Sequence, residues 1–567
     1  MLDFKKEVAN CISKLVNNLE KDEIEQLVEV PPNYNMGDYA FPCFRLAKEF
    51  KKAPNLIAEE IVGKIDGGEY FNEIKNVGPY VNFYVNTEKL AETVLESVIE
   101  EKDKFGSTNM GQGRKVLVEF SSPNIAKPFH IGHIRSTVIG NSIYQIYKFQ
   151  GFDTEALNHL GDYGTQFGML IAAYKKWGDK KAIEADPINE LLKLYVRFNK
   201  EAEEDGSLRD EARYWFKELE DGNNQEATKL WQWIRDISLK EFNIVYDMLG
   251  IEFDSYNGES FYSDKMAKVI AEMEEKGMLE ESEGAMIVDL EKYDMPPALI
   301  TKSDGSTLYA TRDIAAAMYR KEHYDFYKNI YVVASEQNLH FKQWKKVIEL
   351  MGYDWAEDCI HVAFGMVSLE DGKLSTRQGK VVFLEDVLNK AVESTLEIIE
   401  ERNPDLENKV EVAEQIGIGA VMFQELSNNR IKDYVFSWER TLSFEGETGP
   451  YVQYTHARAN SLLERGEFSL ENKVDYSLLV EEDEINLIRL LYKFPEVIVD
   501  ATEKLEPSFI TRHIAEIAKA FNKFYNSCPI LSVEEDLKNA RLNLVFASKT
   551  IIKTGLGLLG IKAPNRM

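Results

Sequence analysis

The strongest constraint on the fold is a change of rhythm at Lys115. From there apolar runs of strand length alternate with longer segments of helical period. KVLVEF (115 to 120) precedes a helical pattern near Ile131 to Gln150. TEALNHL (154 to 160) precedes a helix from about Gly164, and IYVVAS (330 to 335) and HVAFGMVSL (361 to 369) follow. Continuous apolar runs suit strands covered on both faces, and their alternation with helices predicts a doubly wound, Rossmann-like parallel α/β sheet. In such a sheet ligands bind beyond the carboxyl ends of the strands, where the strand order reverses. Chemistry is therefore expected in the loops that follow these runs.

The rest of the 567 residues gives room for three or four domains at about 150 residues each. Before the α/β pattern, helical periods at Met1 to Leu19 and Asn55 to Val62 flank a strand-like run, Tyr80 to Val85. They predict an α+β domain over 1–112, closed by the turn-rich FGSTNMGQG (105 to 113). The α/β domain spans 113–380 and is interrupted by a polar helical insert at about 181–290. Beyond 380 the pattern is helical: a connecting region over 381–448, a break at EGETGP (445 to 450), and an all-α domain over 449–567. Within that domain the acidic run Glu481 to Glu484 reads as a loop.

Charge narrows the function classes. With 67 Lys+Arg against 96 Asp+Glu, the net charge of -29 disfavours a protein that coats nucleic acid indiscriminately. The charge is uneven, however. The insert carries 27 Asp+Glu against 13 Lys+Arg, whereas Leu537 to Met567 has six basic residues and no acidic one. Because the acidic charge is concentrated in the insert, it argues only against indiscriminate nucleic-acid binding and does not exclude a partner held by a local basic patch. Cys11, Cys43, Cys359 and Cys528 never fall at CxxC spacing, so neither a disulfide framework nor a structural metal site is expected. No apolar run approaches the roughly 20 residues that span a bilayer, and the N-terminus has no apolar signal core. A cytoplasmic protein without a membrane partner is expected.

The most informative segment is EFSSPNIAKPFHIGHIRSTVIG (119 to 140). A strand ends at Phe120, a loop carries Asn124 and Lys127, and His130-Ile-Gly-His133 opens a helix. A helix start offers free N–H groups and a positive dipole to phosphate, and Gly132 leaves room for a nucleotide against the backbone. His130 and His133 share a face and could donate to phosphate oxygens. Phe120 to Phe152 contains no Asp or Glu but holds Lys127, Arg135 and Lys148. The alternatives are a zinc pair, which lacks further ligands, or histidines with ordinary structural partners. A second basic loop, GKLSTRQGK (372 to 380), follows HVAFGMVSL and could close over the phosphates through Lys373, Arg377 and Lys380. On its own it could equally be a solvated loop.

Together these two loops resemble the HIGH and KMSKS signatures of class I aminoacyl-tRNA synthetases. More narrowly, SSPNIAKPFHIGHIRST, NHLGDYGTQFG (158 to 168), LYATRDIAAA (308 to 317), GPYVQYTHAR (449 to 458), GDYAFPC (37 to 43) and the ending APNRM look like arginyl-tRNA synthetases. The resemblance covers essentially the whole chain. It implies that arginine attacks the α-phosphate of ATP, brought in with Mg2+, to give arginyl-adenylate, and that arginine then passes to the 3'-end of its tRNA. Pyrophosphate exchange that needs bound tRNA completes this expectation; a monomer is expected because nothing in the sequence forces more.

The resemblance also implies roles. His130, Gly132, His133, Lys127, Lys373 and Ser375 would bind ATP, with His130, His133, Lys127, Lys373 and Arg377 stabilising the reacting phosphates. Glu119, Asn124, Tyr309, Asp313 and Gln337 would hold arginine, whose planar cation is best read by carboxylates. The second signature departs from the class pattern, since Thr376 stands where a lysine is usual. Family members without that lysine carry one upstream of the first signature, so Lys127 is expected to supply the missing cation. Asp313 could instead pair with Arg312 or Arg320, and Tyr309 could be a core aromatic. The domains 1–112 and 449–567 correspond to the family's additional tRNA-binding and anticodon-binding domains. There Tyr451 and Tyr454 could stack on bases or lie in the core, and GDYAFPC is expected to form a turn with Phe41 buried. The competing functions are a smaller nucleotidylyltransferase, disfavoured by the chain length, and a non-catalytic tRNA-binding paralogue, disfavoured by the retained His130, His133, Lys127 and Lys373.

Overall fold

The structure is a computed structural model that describes residues 1–222, 224–302, 309–369 and 382–567. The chain divides into two compact units interleaved in sequence. One comprises Met1–Gly106, Thr455–Pro495 and Glu516–Thr554, and the other Ser107–Tyr454, Glu496–Ala515 and Gly555–Met567.

In the first unit, strands β1 (Tyr39–Pro42), β2 (Phe71–Val77) and β3 (Tyr80–Val85) form an antiparallel sheet in the order β1-β3-β2. GDYAFPC is therefore a paired strand rather than the expected turn. Alternation explains why, since Phe41 and Phe83 turn the same way and are fully buried. Asp38 anchors this strand by accepting the Val85 N–H at 2.9 Å and pairing with Arg489 at 2.8 Å. The acidic run at 481 to 484 is also not a loop. Glu482 to Glu484 form the first turn of the helix Glu482–Lys504, where carboxylates suit the positive end of the helix dipole. Glu484 is buried there against Arg541 at 2.7 Å.

In the second unit, β4 (Lys115–Glu119), β5 (Asp153–Leu157), β9 (Lys328–Ala334) and β10 (Cys359–Phe364) form a parallel sheet in the order β10-β9-β4-β5. The chain moves from β4 to β5 on one side and later to β9 on the other. The switch point therefore lies between β4 and β9. Gly140, on the helix Ile134–Phe149, lets that helix lie on the sheet, because a Cβ there would come within 2.1 Å of the Phe120 side chain.

Two sequence expectations change here. The insert is helical up to the helix Met266–Glu275, but its end forms β6 (Glu280–Ser282) and β7 (Ala285–Val288), and β7 pairs on its other side with β8 (Ala298–Thr301). HVAFGMVSL is also not one strand. It breaks at Gly365, where any Cβ would meet Asp433 Oδ1 at 2.6 Å and the Ile431 carbonyl at 2.7 Å. The chain then enters β11 (Val367–Leu369), which pairs in parallel with β12 (Tyr434–Phe436) outside the main sheet. The second basic loop thus follows a strand of a separate ribbon. Among the described residues no helix is long and apolar enough to cross a membrane.

Candidate active site

The crevice begins where β4 ends. Ser121, Ser122 and Ala126 hold positive φ values of 67°, 45° and 60°. Left-handed backbone at a residue with a side chain costs roughly 1–3 kcal/mol, so it persists only where its surroundings fix it. Here the Ser121 N–H donates to Ser136 Oγ at 2.9 Å, and the Ala126 N–H donates to Ser238 Oγ at 3.2 Å.

His130 and His133 cap each other across the turn Ile131–His133. The His130 N–H donates to His133 Nδ1, and the Gly132 N–H donates to His130 Nδ1, both at 3.1 Å. The Ile131 N–H goes to the Val382 carbonyl and the His133 N–H to the His130 carbonyl. The free N–H groups expected at this helix start are therefore already taken. What the turn offers is the imidazoles themselves: His130 accepts at Nδ1 and so carries its proton on Nε2, while His133 Nδ1 lies between the His130 N–H at 3.1 Å and the His130 carbonyl at 3.2 Å. Burial lowers the pKa of both rings, and His130 and Lys127 push His133 further, to about 3. Both rings are thus neutral donors near pH 7, and the formal positive charge comes from Lys127, which is exposed and has no ion pair among the described residues.

Arg135 does not add to that charge. It is 1% exposed, paired with Glu425 at 2.6 Å, and donates to the carbonyls of Gly365, Arg430 and Lys432. This arrangement ties the helix Ile134–Phe149 to the root of the β11–β12 ribbon. Lys373, Ser375 and Arg377 lie outside the described residues. Just beyond them, Val382 accepts the Ile131 N–H, and the Leu384 N–H donates to the Phe129 carbonyl at 2.9 Å. The chain therefore returns alongside the first signature.

On the other side of the switch point, Tyr309 and Asp313 stand one turn apart on the helix Tyr309–Tyr324, and Gln337 ends the short turn after β9. Tyr309 is 66% exposed, so it is no core aromatic, and Asn124, Gln337 and Lys127 are exposed as well. The acids are paired in a way the sequence did not reveal. Arg320 goes to Glu119 at 2.6 Å, and Arg312 to Glu259 at 2.6 Å. Asp313 takes neither arginine and accepts from His340 Nε2 instead. Glu119 is thus a buried carboxylate already neutralised by the protein's own guanidinium, whereas Asp313 is the more accessible acid. His159 lies within electrostatic reach of Glu119, Arg320, Asp313 and Asp162, which places both acids proposed for arginine in one charged cluster. Burial pushes the Glu259 carboxyl up to about 7, against the pull of Arg312.

The chain matches three family models: the class I tRNA synthetase (R) catalytic domain over residues 94–438, the DALR anticodon-binding domain over 452–567, and the arginyl-tRNA synthetase N-terminal domain over 3–85. It is 63% identical over 567 residues to an arginine–tRNA ligase of Halothermothrix orenii and 59% identical to one of Clostridioides difficile, with full coverage of both chains in each case. The chain belongs to the arginyl-tRNA synthetase family. The solved arginyl-tRNA synthetase of Thermus thermophilus superposes with a TM-score of 0.82 at 26% identity, covering 100% of this chain and 99% of that one.

For a member of this family, several residues of the crevice escaped the sequence reading. His159 and Asp162 lie in NHLGDYGTQFG, which was quoted without roles for these residues, and His340 lies three residues beyond Gln337. Glu259 is a single residue in the insert with no motif around it. Nothing short of the fold reveals that the insert's inner face reaches the crevice.

Proposed function

We propose that the crevice between β4 and β9 activates arginine with ATP and passes it to tRNA. The reading is carried by the first signature, where two imidazoles that stay neutral near pH 7 sit beside Lys127, which has no ion pair among the described residues, at the carboxyl end of the central strand. His130 and His133 donate to phosphate oxygens as charge develops at the α-phosphate, and Lys127 neutralises the triphosphate in place of the lysine replaced by Thr376. Neutral donors suit this work because they stabilise the transition state without binding the free anion indiscriminately. Lys373, Ser375 and Arg377 complete the phosphate site by family resemblance, with Gly132 beneath the nucleotide. Mg2+ would be brought in with ATP and would supply further neutralisation of the phosphate charge.

Arginine is held by Asp313, with Tyr309, Gln337, Asn124 and Glu119 around it. Glu119 acts through its pair with Arg320 and its remaining lone pairs. The domains are 1–112 for additional tRNA contact, 113–380 for catalysis with the insert at about 181–290, 381–448 as the connecting region, and 449–567 for the anticodon, with Tyr451 and Tyr454 as candidate stacking residues. The family models over 3–85, 94–438 and 452–567 support this assignment. We read the chain as a monomer, which sedimentation tests; its four buried free cysteines suit a reducing, cytoplasmic setting. Charging of tRNA with each of the twenty amino acids in turn tests the function. Arginine alone should be attached at a substantial rate, and equal charging with lysine would refute the assignment.

A further inference from the structure

The longest helix of the insert, Gln225–Leu249, turns one face onto the first signature. Tyr246 on that helix is 1% exposed, and its hydroxyl lies 2.8 Å from Ser121 Oγ and 3.0 Å from Asn158 Nδ2. Ser121 Oγ lies 2.9 Å from Thr137 Oγ1, which in turn is 2.8 Å from the His133 carbonyl. Ser121, Thr137 and Asn158 are all buried.

The Asn158 amide donates to the Tyr246 oxygen, the Tyr246 and Ser121 hydroxyls share one hydrogen bond, and the Thr137 hydroxyl faces both Ser121 Oγ and the His133 carbonyl as its acceptors. Burial raises the Tyr246 pKa above the ordinary phenol value, so the hydroxyl keeps its proton. This hydrogen-bonded chain begins beyond β5, crosses to the left-handed turn after β4 and ends on the carbonyl of the second signature histidine. Ser238, two turns earlier on the same helix, accepts the Ala126 N–H from the same strained loop. Ring contacts of Phe129 with Phe242 and Tyr246, at 5.4 and 5.5 Å, pack that loop from the same side.

We propose that Tyr246 is a positioning residue for adenylate formation: through the chain from Asn158 to Ser121, Thr137 and the His133 carbonyl, its hydroxyl sets the turn from which His130 and His133 reach the nucleotide. The insert then serves the reaction by its inner face. The proposal rests on the reading of the first signature as the ATP site.

Tyr246→Phe removes the hydroxyl and keeps the ring. In ATP–pyrophosphate exchange by the full chain with tRNA present, kcat/KM for ATP should fall at least tenfold. KM for arginine should stay within twofold, and the melting temperature within a few degrees. Tyr256→Phe, which loses an exposed hydroxyl bonded to Asn243 at 3.4 Å, should leave exchange unchanged. If Tyr246→Phe folds poorly, Ser121→Ala breaks the same chain and carries the same expectation. An unchanged kcat/KM for ATP, or a loss confined to KM for arginine, overturns the proposal. His133→Ala separates the two readings. If it abolishes exchange while Tyr246→Phe does not, only the positioning role fails; if it too is harmless, the signature reading fails with it.

Discussion

Replacing Arg135 by methionine tests whether the sheet and the ribbon leading to the second signature are held together by one buried ion pair. Arg135 and Glu425 have side-chain exposures of 1% and 0%. Among the described residues the substitution leaves Glu425 with the Tyr434 hydroxyl alone, at 2.6 Å, to compensate its charge, and strips a donor from the carbonyls of Gly365, Arg430 and Lys432. Removing one partner of a buried pair costs about 3–5 kcal/mol, because the other charge remains desolvated. At about 2 °C per kcal/mol for a large unit, the corresponding calorimetric transition should drop by roughly 6–10 °C. Glu425→Met should do similar damage from the other side. The double variant Arg135→Met with Glu425→Met removes both charges, so its loss should be clearly smaller than the sum of the two. Additive losses, or a drop below about 2 °C for either single variant, would refute the view of this pair as a coupled buried unit.

Three further outcomes follow. Asp313→Asn keeps the size of the side chain but removes the charge that faces the guanidinium, and it should raise KM for arginine at least tenfold with KM for ATP nearly unchanged. His340→Ala, which removes the hydrogen-bond partner of Asp313 among the described residues, should shift the same constant by a smaller factor, and equal changes in both KM values would contradict the assignment. Lys127→Ala should slow adenylate formation at least tenfold in pre-steady-state measurements, and a rate within a few-fold of wild type would remove Lys127 from the reaction. His133 gives a pH dependence: the unfolded chain takes up its proton near 6.5, while the folded one resists until about 3. Stability should therefore fall as pH drops below 6.5, by about 1.4 kcal/mol per pH unit from this group. His133→Asn should flatten the slope of melting temperature against pH between 6.5 and 4, and an unchanged slope would count against the buried, neutral imidazole.

The α/β core was legible because its signals are local. Continuous apolar runs and helical periods depend on neighbours in sequence, and the His-x-x-His spacing puts both rings in one turn wherever the fold carries them. The partners of the charges were not legible. Arg320 with Glu119, Arg135 with Glu425 and Asp313 with His340 span 201, 290 and 27 residues, and sequence offers several equally good mates for each. The break at Gly365 was hidden for a related reason. HVAFGMVSL satisfies the pattern of one long strand, and only the backbone of residues 431 to 433 pressing on that glycine divides it. The histidine motif itself was read in part, as a phosphate-binding helix start, while its service as a reciprocal cap that takes up the amides became visible only in three dimensions.

The central claim is that this crevice makes an adenylate from arginine and no other amino acid, using the first signature. ATP–pyrophosphate exchange by the wild-type chain in the presence of tRNA, measured with and without arginine and repeated with His130→Ala and His133→Ala, tests it most directly. The account predicts exchange that depends on arginine and falls by orders of magnitude in both variants. Exchange that proceeds without arginine, or that survives the loss of either histidine, would contradict it.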